Sequence, residues 1–148
     1  MNDDPLCSME VISRSVTKTQ KLAKDLAQNL GDYNVVCLYG ELGAGKTTFV
    51  SGFANGLGIE KRILSPTFII VHEYKIPKSK RILFHIDLYR LENSREIENL
   101  GISDLLNDKN NIVMVEWAEK LESLLPERRI EVKFKVEDDF RKIQISRN

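Results

Sequence analysis

The chain has no apolar run approaching the roughly 18–20 residues that cross a bilayer as a helix, so no helical membrane span is expected. Cysteine is almost missing: Cys7 stands near the N-terminus and Cys37 lies inside an apolar stretch. Two thiols so placed predict neither a disulfide framework nor a cysteine metal cage, and the expectation is a reducing cytoplasm. There is no excess of one charge either. The 22 Lys and Arg balance 22 Asp and Glu, which excludes a chain held on nucleic acid by bulk positive charge and leaves room only for a local basic patch. Pro (4) and Gly (8) are too scarce for a low-complexity or collagen-like chain. The opening MNDDPLCSME carries acidic residues and no Lys or Arg, unlike the basic start of a signal peptide.

What is present is a core. Of the 148 residues, 42% are apolar, and a chain of this length hides roughly 68–70% of its unfolded surface on folding. The expectation is a single domain over 1–148, with residues 1–9 as a flexible extension.

Glu10 to Arg14 alternates weakly, as a short edge strand does. Thr17 and Gln20 fit a capping box. Leu22, Ala23, Leu26, Ala27 and Leu30 then recur at helical spacing, with Gly31 placed to end the helix. Val35 to Tyr39 is short, continuous and branched, the pattern of a buried parallel strand. After a glycine-rich turn, Phe49, Val50, Phe53, Ala54 and Leu57 mark a second helix, closed by Gly56 or Gly58. Phe68 to Tyr74 and Arg81 to Leu88 read as neighbouring strands joined through Ile76–Ser79. Ser94 is placed to cap a short acidic helix over Arg95–Leu100, which Gly101 breaks; the acidic run Glu92 to Glu98 reads as its solvated face. Ile112 to Val115 is another buried strand, and Leu121, Leu124 and Leu125 mark a short helix stopped by Pro126. Ile130, Val132, Phe134 and Val136, then Ile143 and Ile145, alternate with charge on either side of Glu137–Asp139, a hairpin with one wet face. The fold class predicted is α/β: a mixed sheet flanked by helices, of the phosphate-loop nucleotide-hydrolase kind, with a C-terminal antiparallel hairpin.

Gly40–Thr47, GELGAGKT, matches G-x-x-x-x-G-K-[ST] in full. Glycines let successive N–H groups point inward at phosphate oxygens, and the helix that follows adds its positive end. Lys46 reaches the β- and γ-phosphates, and the Thr47 hydroxyl suits Mg²⁺ bridging them. A glycine turn of this composition can arise by chance, but an apolar strand before it and an amphipathic helix after it are the context that makes it a nucleotide site. Such a loop needs an acidic group at a neighbouring strand end, to hold the metal or orient the attacking water. Glu116 follows Ile112–Val115, and Asp87 ends Leu83–Ile86. Pattern alone does not choose between them for the metal.

Three aromatic or imidazole side chains carry weaker signals. Trp117 either stacks on a base or partner or packs at the sheet edge. His85 is one residue out of phase with Phe84 and Ile86, more in keeping with a core or edge histidine than a catalyst. His72 is ambiguous in the same way. Ser65-Pro66-Thr67, between the phosphate helix and the next strand, reads as a turn or as a segment that senses the γ-phosphate.

The ordered set GELGAGKTTF, SPTF, FHIDLYRL, GISDLL and VEWAEKLESLLP, followed by a terminal hairpin, resembles the TsaE (YjeE) family from about Ser15 onward. The phosphate loop is widespread, whereas SPTF, HIDLYR and VEWAE in this order are specific. The resemblance implies an Mg²⁺-dependent ATPase of tRNA threonylcarbamoyladenosine biosynthesis. It implies association with a TsaD–TsaB pair, which transfers the group to tRNAs reading codons that begin with A, while the ATPase resets the complex. It implies that Glu41, Leu42, Gly43, Ala44, Gly45, Lys46, Thr47 and Thr48 cradle the phosphates. Thr47 and Glu116 would hold Mg²⁺, Asp87 would be a catalytic or water-positioning carboxylate, and Lys46, Asp87 and Glu116 would make up the catalytic set. Ser65, Pro66 and Thr67 would form a switch segment, Trp117 would lie near the site, and Thr19, in S-x-x-x-T-x-x-L-A, would contact the nucleotide. Nothing functional is carried onto the C-terminal hairpin. Two competing classes are a small kinase, which needs an arginine-bearing lid for which 61–101 leaves little room, and a non-catalytic nucleotide-gated adaptor. The sequence lacks an arginine in the loop, and Arg90 is the nearest in the motifs, so hydrolysis is expected to be weak alone and stimulated by the partner pair.

Overall fold

In the computed structural model, which describes residues 8–63 and 70–148, the branched apolar runs form the middle of one seven-stranded sheet. The chain runs β1 (Ser8–Ser13), α1 (Val16–Gln28), β2 (Val35–Tyr39), α2 (Lys46–Gly56), β3 (Val71–Lys75), β4 (Ile82–Asp87), α3 (Ser94–Asn99), α4 (Ile102–Asn107), β5 (Asn111–Glu116), a 3-10 helix (Ala118–Leu124), β6 (Ile130–Val136) and β7 (Arg141–Arg147). The strand order is β1-β7-β6-β2-β5-β4-β3. The inner four, β6, β2, β5 and β4, are parallel. β3 on one side, and β7 with β1 on the other, are antiparallel. The mixed sheet with a C-terminal hairpin is the one expected.

Strand alternation divides the apolar side chains between two cores. Val36, Leu38, Leu83, Met114 and Val132 pack under α1 and α2 with Ala23, Leu26, Phe49 and Phe53. Val35, Cys37, Ile86 and Val115 pack under α3, α4 and the 3-10 helix with Ile97, Ile102 and Leu121. Burial pushes the Cys37 thiol up to about 12, so it is an inert core group rather than a reactive one. In the hairpin, Ile130, Val132, Phe134, Ile143 and Ile145 join the α1/α2 core, while Lys133, Lys135 and Gln144 are exposed.

α1 lies against α2 at a distance only glycine permits. A Cβ on Gly52 would stand 2.4 Å from the Gln20 carbonyl oxygen, and one on Gly56 2.7 Å from that of Lys24. α2 ends at Gly56 and the chain turns at Gly58 (φ 87°), as expected, and Gly56 also seats the end of α2 against α1. Close seating of the two helices fixes α2, and with it the loop that opens it.

Several local expectations are corrected. Ser15, not Thr17, caps α1: its hydroxyl oxygen accepts from the Lys18 N–H at 3.1 Å, because the extended chain leaving β1 ends there and the helix starts at Val16. Asn93, not Ser94, caps α3, accepting from Glu96 N–H at 3.0 Å. Gly101 ends α3, but α4 starts at once after it, a helix the sequence reading did not expect. The segment at Leu121 is a 3-10 helix that starts right after Trp117. β1 begins at Ser8, two residues inside the expected extension. The expected strand residues Phe68 and Ile69, and Ser65, Pro66 and Thr67, lie outside the described residues.

Candidate functional site

β2 delivers the chain to Gly40, and α2 takes it up at Lys46. Between them the loop folds back so tightly that Gly45, the N-cap of α2, sits at φ 105°, where a side chain would be strained. No side chain caps α2, so the first-turn N–H groups are left to an outside acceptor, and the positive end of the helix favours an anion there. Ala44 turns inward, 1% exposed, and its N–H is held by the Glu41 carbonyl at 3.1 Å. Glu41 and Leu42 are exposed.

Lys46 is buried, and its ammonium donates to the Gly40 carbonyl. On its other side the cation lies 3.8 Å from the centre of the Trp117 ring. Burial pulls the Lys46 pKa down, and Glu116, Glu119 and Asp87 pull against it. Trp117 has φ 61°, rare for a large side chain. Its ring also rests on Tyr89, 5.3 Å between centres. Lys120 secures this aromatic pair from below, donating to the carbonyls of Tyr89 (2.6 Å) and Leu91 (2.9 Å).

The two candidate carboxylates are brought together by strand register: Asp87 at the end of β4 and Glu116 at the end of β5 are Cα partners. Their surroundings differ. Asp87 accepts from the Tyr89 N–H at 3.0 Å, yet burial pushes its carboxyl above the ordinary range, with Glu116 adding to the push. Glu116 is 3% exposed, and its Oε2 accepts from His85 Nε2 at 2.5 Å. Both carboxylates, Lys46, Thr47, Thr48 and Trp117 line one cavity of about 370 Å³ at the mouth of the loop, with Gly43, Gly45, Leu42, Tyr89 and Arg90.

Thr19 lines a second cavity, of about 440 Å³, which shares Gly43, Gly45 and Thr48 with the first. Its hydroxyl lies 2.7 Å from that of Ser13. Three features were missed from sequence. Tyr89 was overlooked inside HIDLYR, although its position two residues after Asp87 is an Asx-turn spacing. The partnership of His85 with Glu116 needs the β4/β5 register. Phe140 and Arg141, in the hairpin to which no function was carried, wall the second cavity beside the loop, where Arg141 donates to the Gly43 carbonyl at 3.5 Å.

A family model described as threonylcarbamoyl adenosine biosynthesis protein TsaE matches residues 13–144. The tRNA threonylcarbamoyladenosine biosynthesis protein TsaE of Haemophilus influenzae is 41% identical over 111 residues, 75% of this chain and 68% of its own. The protein of the same name from Bacillus subtilis is 41% identical over 130 residues, 85% of this chain and 77% of its own. The crystal structure of Bacillus subtilis YdiB superposes with a TM-score of 0.78 at 31% identity, covering 96% of this chain and 86% of that one. The family model, the relatives and the shared fold agree, and the chain belongs to the TsaE family of threonylcarbamoyl adenosine biosynthesis proteins.

Proposed function

We propose that this chain binds and hydrolyses ATP with Mg²⁺ in the loop cavity, as the ATPase of the machinery that installs threonylcarbamoyladenosine in tRNA. One observation carries the reading: Lys46, Asp87 and Glu116, from three separate elements, line one cavity at an uncapped helix N-terminus. In this reading the first-turn N–H groups and Lys46 bind the phosphates. Asp87, held by Tyr89 and raised in pKa, is poised to accept a proton from or orient the attacking water. Thr47 and Glu116 offer hard oxygen donors, and among the described residues no group of three or more His, Cys, Asp or Glu forms a metal cage. That fits Mg²⁺, which takes one or two protein oxygens and fills its shell with phosphate and water. When bound, the ion would neutralise charge on the β- and γ-phosphates. The second cavity, with Thr19, supports a nucleotide lying across the loop from one cavity to the other.

The partner in this reading is a TsaD–TsaB-like pair, with tRNA reached through it in a cytoplasmic complex. The loop carries no arginine of its own, so the charge of the transferring phosphoryl group is fully met only on assembly. The test is phosphate release by the pure chain titrated with its cognate pair. A slow rate that rises to a plateau supports the reading. A fast rate indifferent to the pair contradicts the dependence on assembly, and a rate equal to that of Lys46→Ala contradicts hydrolysis at this loop.

A further inference from the structure

The least expected polar group in the core is His85. It is 0% exposed, on a face of β4 it shares with Leu83 and Asp87, and its Cα partner on β5 is Met114. A histidine kept for packing would satisfy both ring nitrogens or give way to an apolar side chain, because a buried polar atom without a partner destabilises the fold. His85 does neither. Among the described residues its Nδ1 has no partner, and nor does the buried Nε2 of His72, its Cα partner on β3. Among the described residues the polar contact of His85 is Nε2 to Glu116 Oε2, at 2.5 Å.

We propose that His85 is the positioning residue of the site: its Nε2–H fixes the Glu116 carboxylate through Oε2 and leaves Oε1 to the metal. This rests on Glu116 being a metal-binding residue, as proposed above. Glu116 has three side-chain torsions, and β5 alone sets only where it starts. A donor from the neighbouring strand removes the remaining freedom, and partners of this kind to ligating groups are typically worth roughly 10–100-fold in metal affinity. The bond also meets the lone pairs of a carboxylate with only 3% of its surface in water.

The test is calorimetry of a non-hydrolysable ATP analogue, with and without Mg²⁺, on wild type, His85→Gln, His85→Asn, His85→Leu and the reference Glu116→Gln, with thermal unfolding of each. The glutamine amide nitrogen reaches the place of Nε2, asparagine stops one bond short, and leucine fills the space without a donor. The affinity gained on adding Mg²⁺ is expected to survive in His85→Gln and to fall roughly 10–100-fold in His85→Asn and His85→Leu, with metal-free affinity unchanged. If His85→Leu does not fold, the difference between Gln and Asn decides. Equal metal dependence in Gln and Asn overturns the positioning role. If Glu116→Gln loses the metal gain while every His85 variant keeps it, only this proposal fails. If Glu116→Gln keeps it, the metal role of Glu116 fails and takes the proposal with it.

Discussion

The ammonium of Lys46 lies 3.8 Å from the centre of the Trp117 ring while donating to the carbonyl of Gly40. The cation is thus engaged on two sides, and the tryptophan that covers it has φ 61°. A non-glycine residue in that region costs of order 1–3 kcal/mol, and a cation on an indole returns roughly 0.5–2 kcal/mol. On the proposed reading, a β-phosphate arriving at the loop is expected to draw Lys46 off the ring.

That exchange is observable because the chain has one tryptophan. Adding ADP or ATP is expected to change its emission as the ammonium leaves the ring face, with saturation at the nucleotide affinity. Lys46→Ala should start from the altered emission and respond little. Unchanged wild-type emission at saturating nucleotide, with binding verified by calorimetry, would mean that Lys46 stays on the ring.

Lys46→Ala should weaken nucleotide binding by roughly 10–100-fold, since hydrogen bonds to charged groups contribute about 1.5–3 kcal/mol, and should abolish phosphate release. Its thermal midpoint should not fall in proportion: burial already holds the pKa of this ammonium down, so the charged form is disfavoured in the fold. A large loss of stability with binding intact would reverse the assignment and make Lys46 a structural residue.

The loop, its strand and its helix were legible because each signal is local: a branched apolar run, four residues between glycines, an amphipathic repeat. Val35–Tyr39 matches β2 residue for residue. Glu116 and Asp87 were legible as strand-end carboxylates, but their pairing depends on the order of β4 and β5 in the sheet, which no window of sequence contains. The same non-local register hides His85, which reads as an out-of-phase core residue until β5 is laid beside it. Thr17 was read as the cap because Gln20 completed a capping box, whereas the end of β1 decided where the helix could start and left Ser15 to cap it. Gly56 was legible as the end of α2, whereas its seat against the backbone of α1 was not.

Gly52→Ala tests that helix contact. Alanine is the better helix former by up to about 1 kcal/mol, but its Cβ would fall 2.4 Å from the Gln20 oxygen and 2.6 Å from the Gln20 Cα, both backbone atoms that cannot rotate aside. Overpacking of this kind costs typically 1–3 kcal/mol, so the clash outweighs the propensity. At about 2–4 °C per kcal/mol for a chain near this length, the thermal midpoint should drop by roughly 2–12 °C. An unchanged or higher midpoint would mean that α1 moves away from α2 at little cost.

Asp87→Asn should separate stability from turnover. Burial, together with Glu116, raises the Asp87 carboxyl above its ordinary 3.8 in the folded chain. A group raised on folding contributes stability that is present below its unfolded pKa and lost as pH rises through its folded one. Ionised Asp87 is therefore a cost to the fold at neutral pH. Asparagine keeps an oxygen to accept from the Tyr89 N–H and carries no charge, so the variant should melt above wild type at pH 7. That advantage should shrink as pH falls through the raised folded value and be gone below 3.8, where both side chains are neutral. Nucleotide binding should persist while partner-stimulated phosphate release drops by roughly 10²–10⁴-fold, the range for a positioned proton acceptor. Thermal melts across pH, run beside the release assay, decide both halves. A variant less stable than wild type at pH 7 would mean that Lys46 and His85 more than offset the burial of this carboxylate, and a variant with full turnover would remove Asp87 from the chemistry.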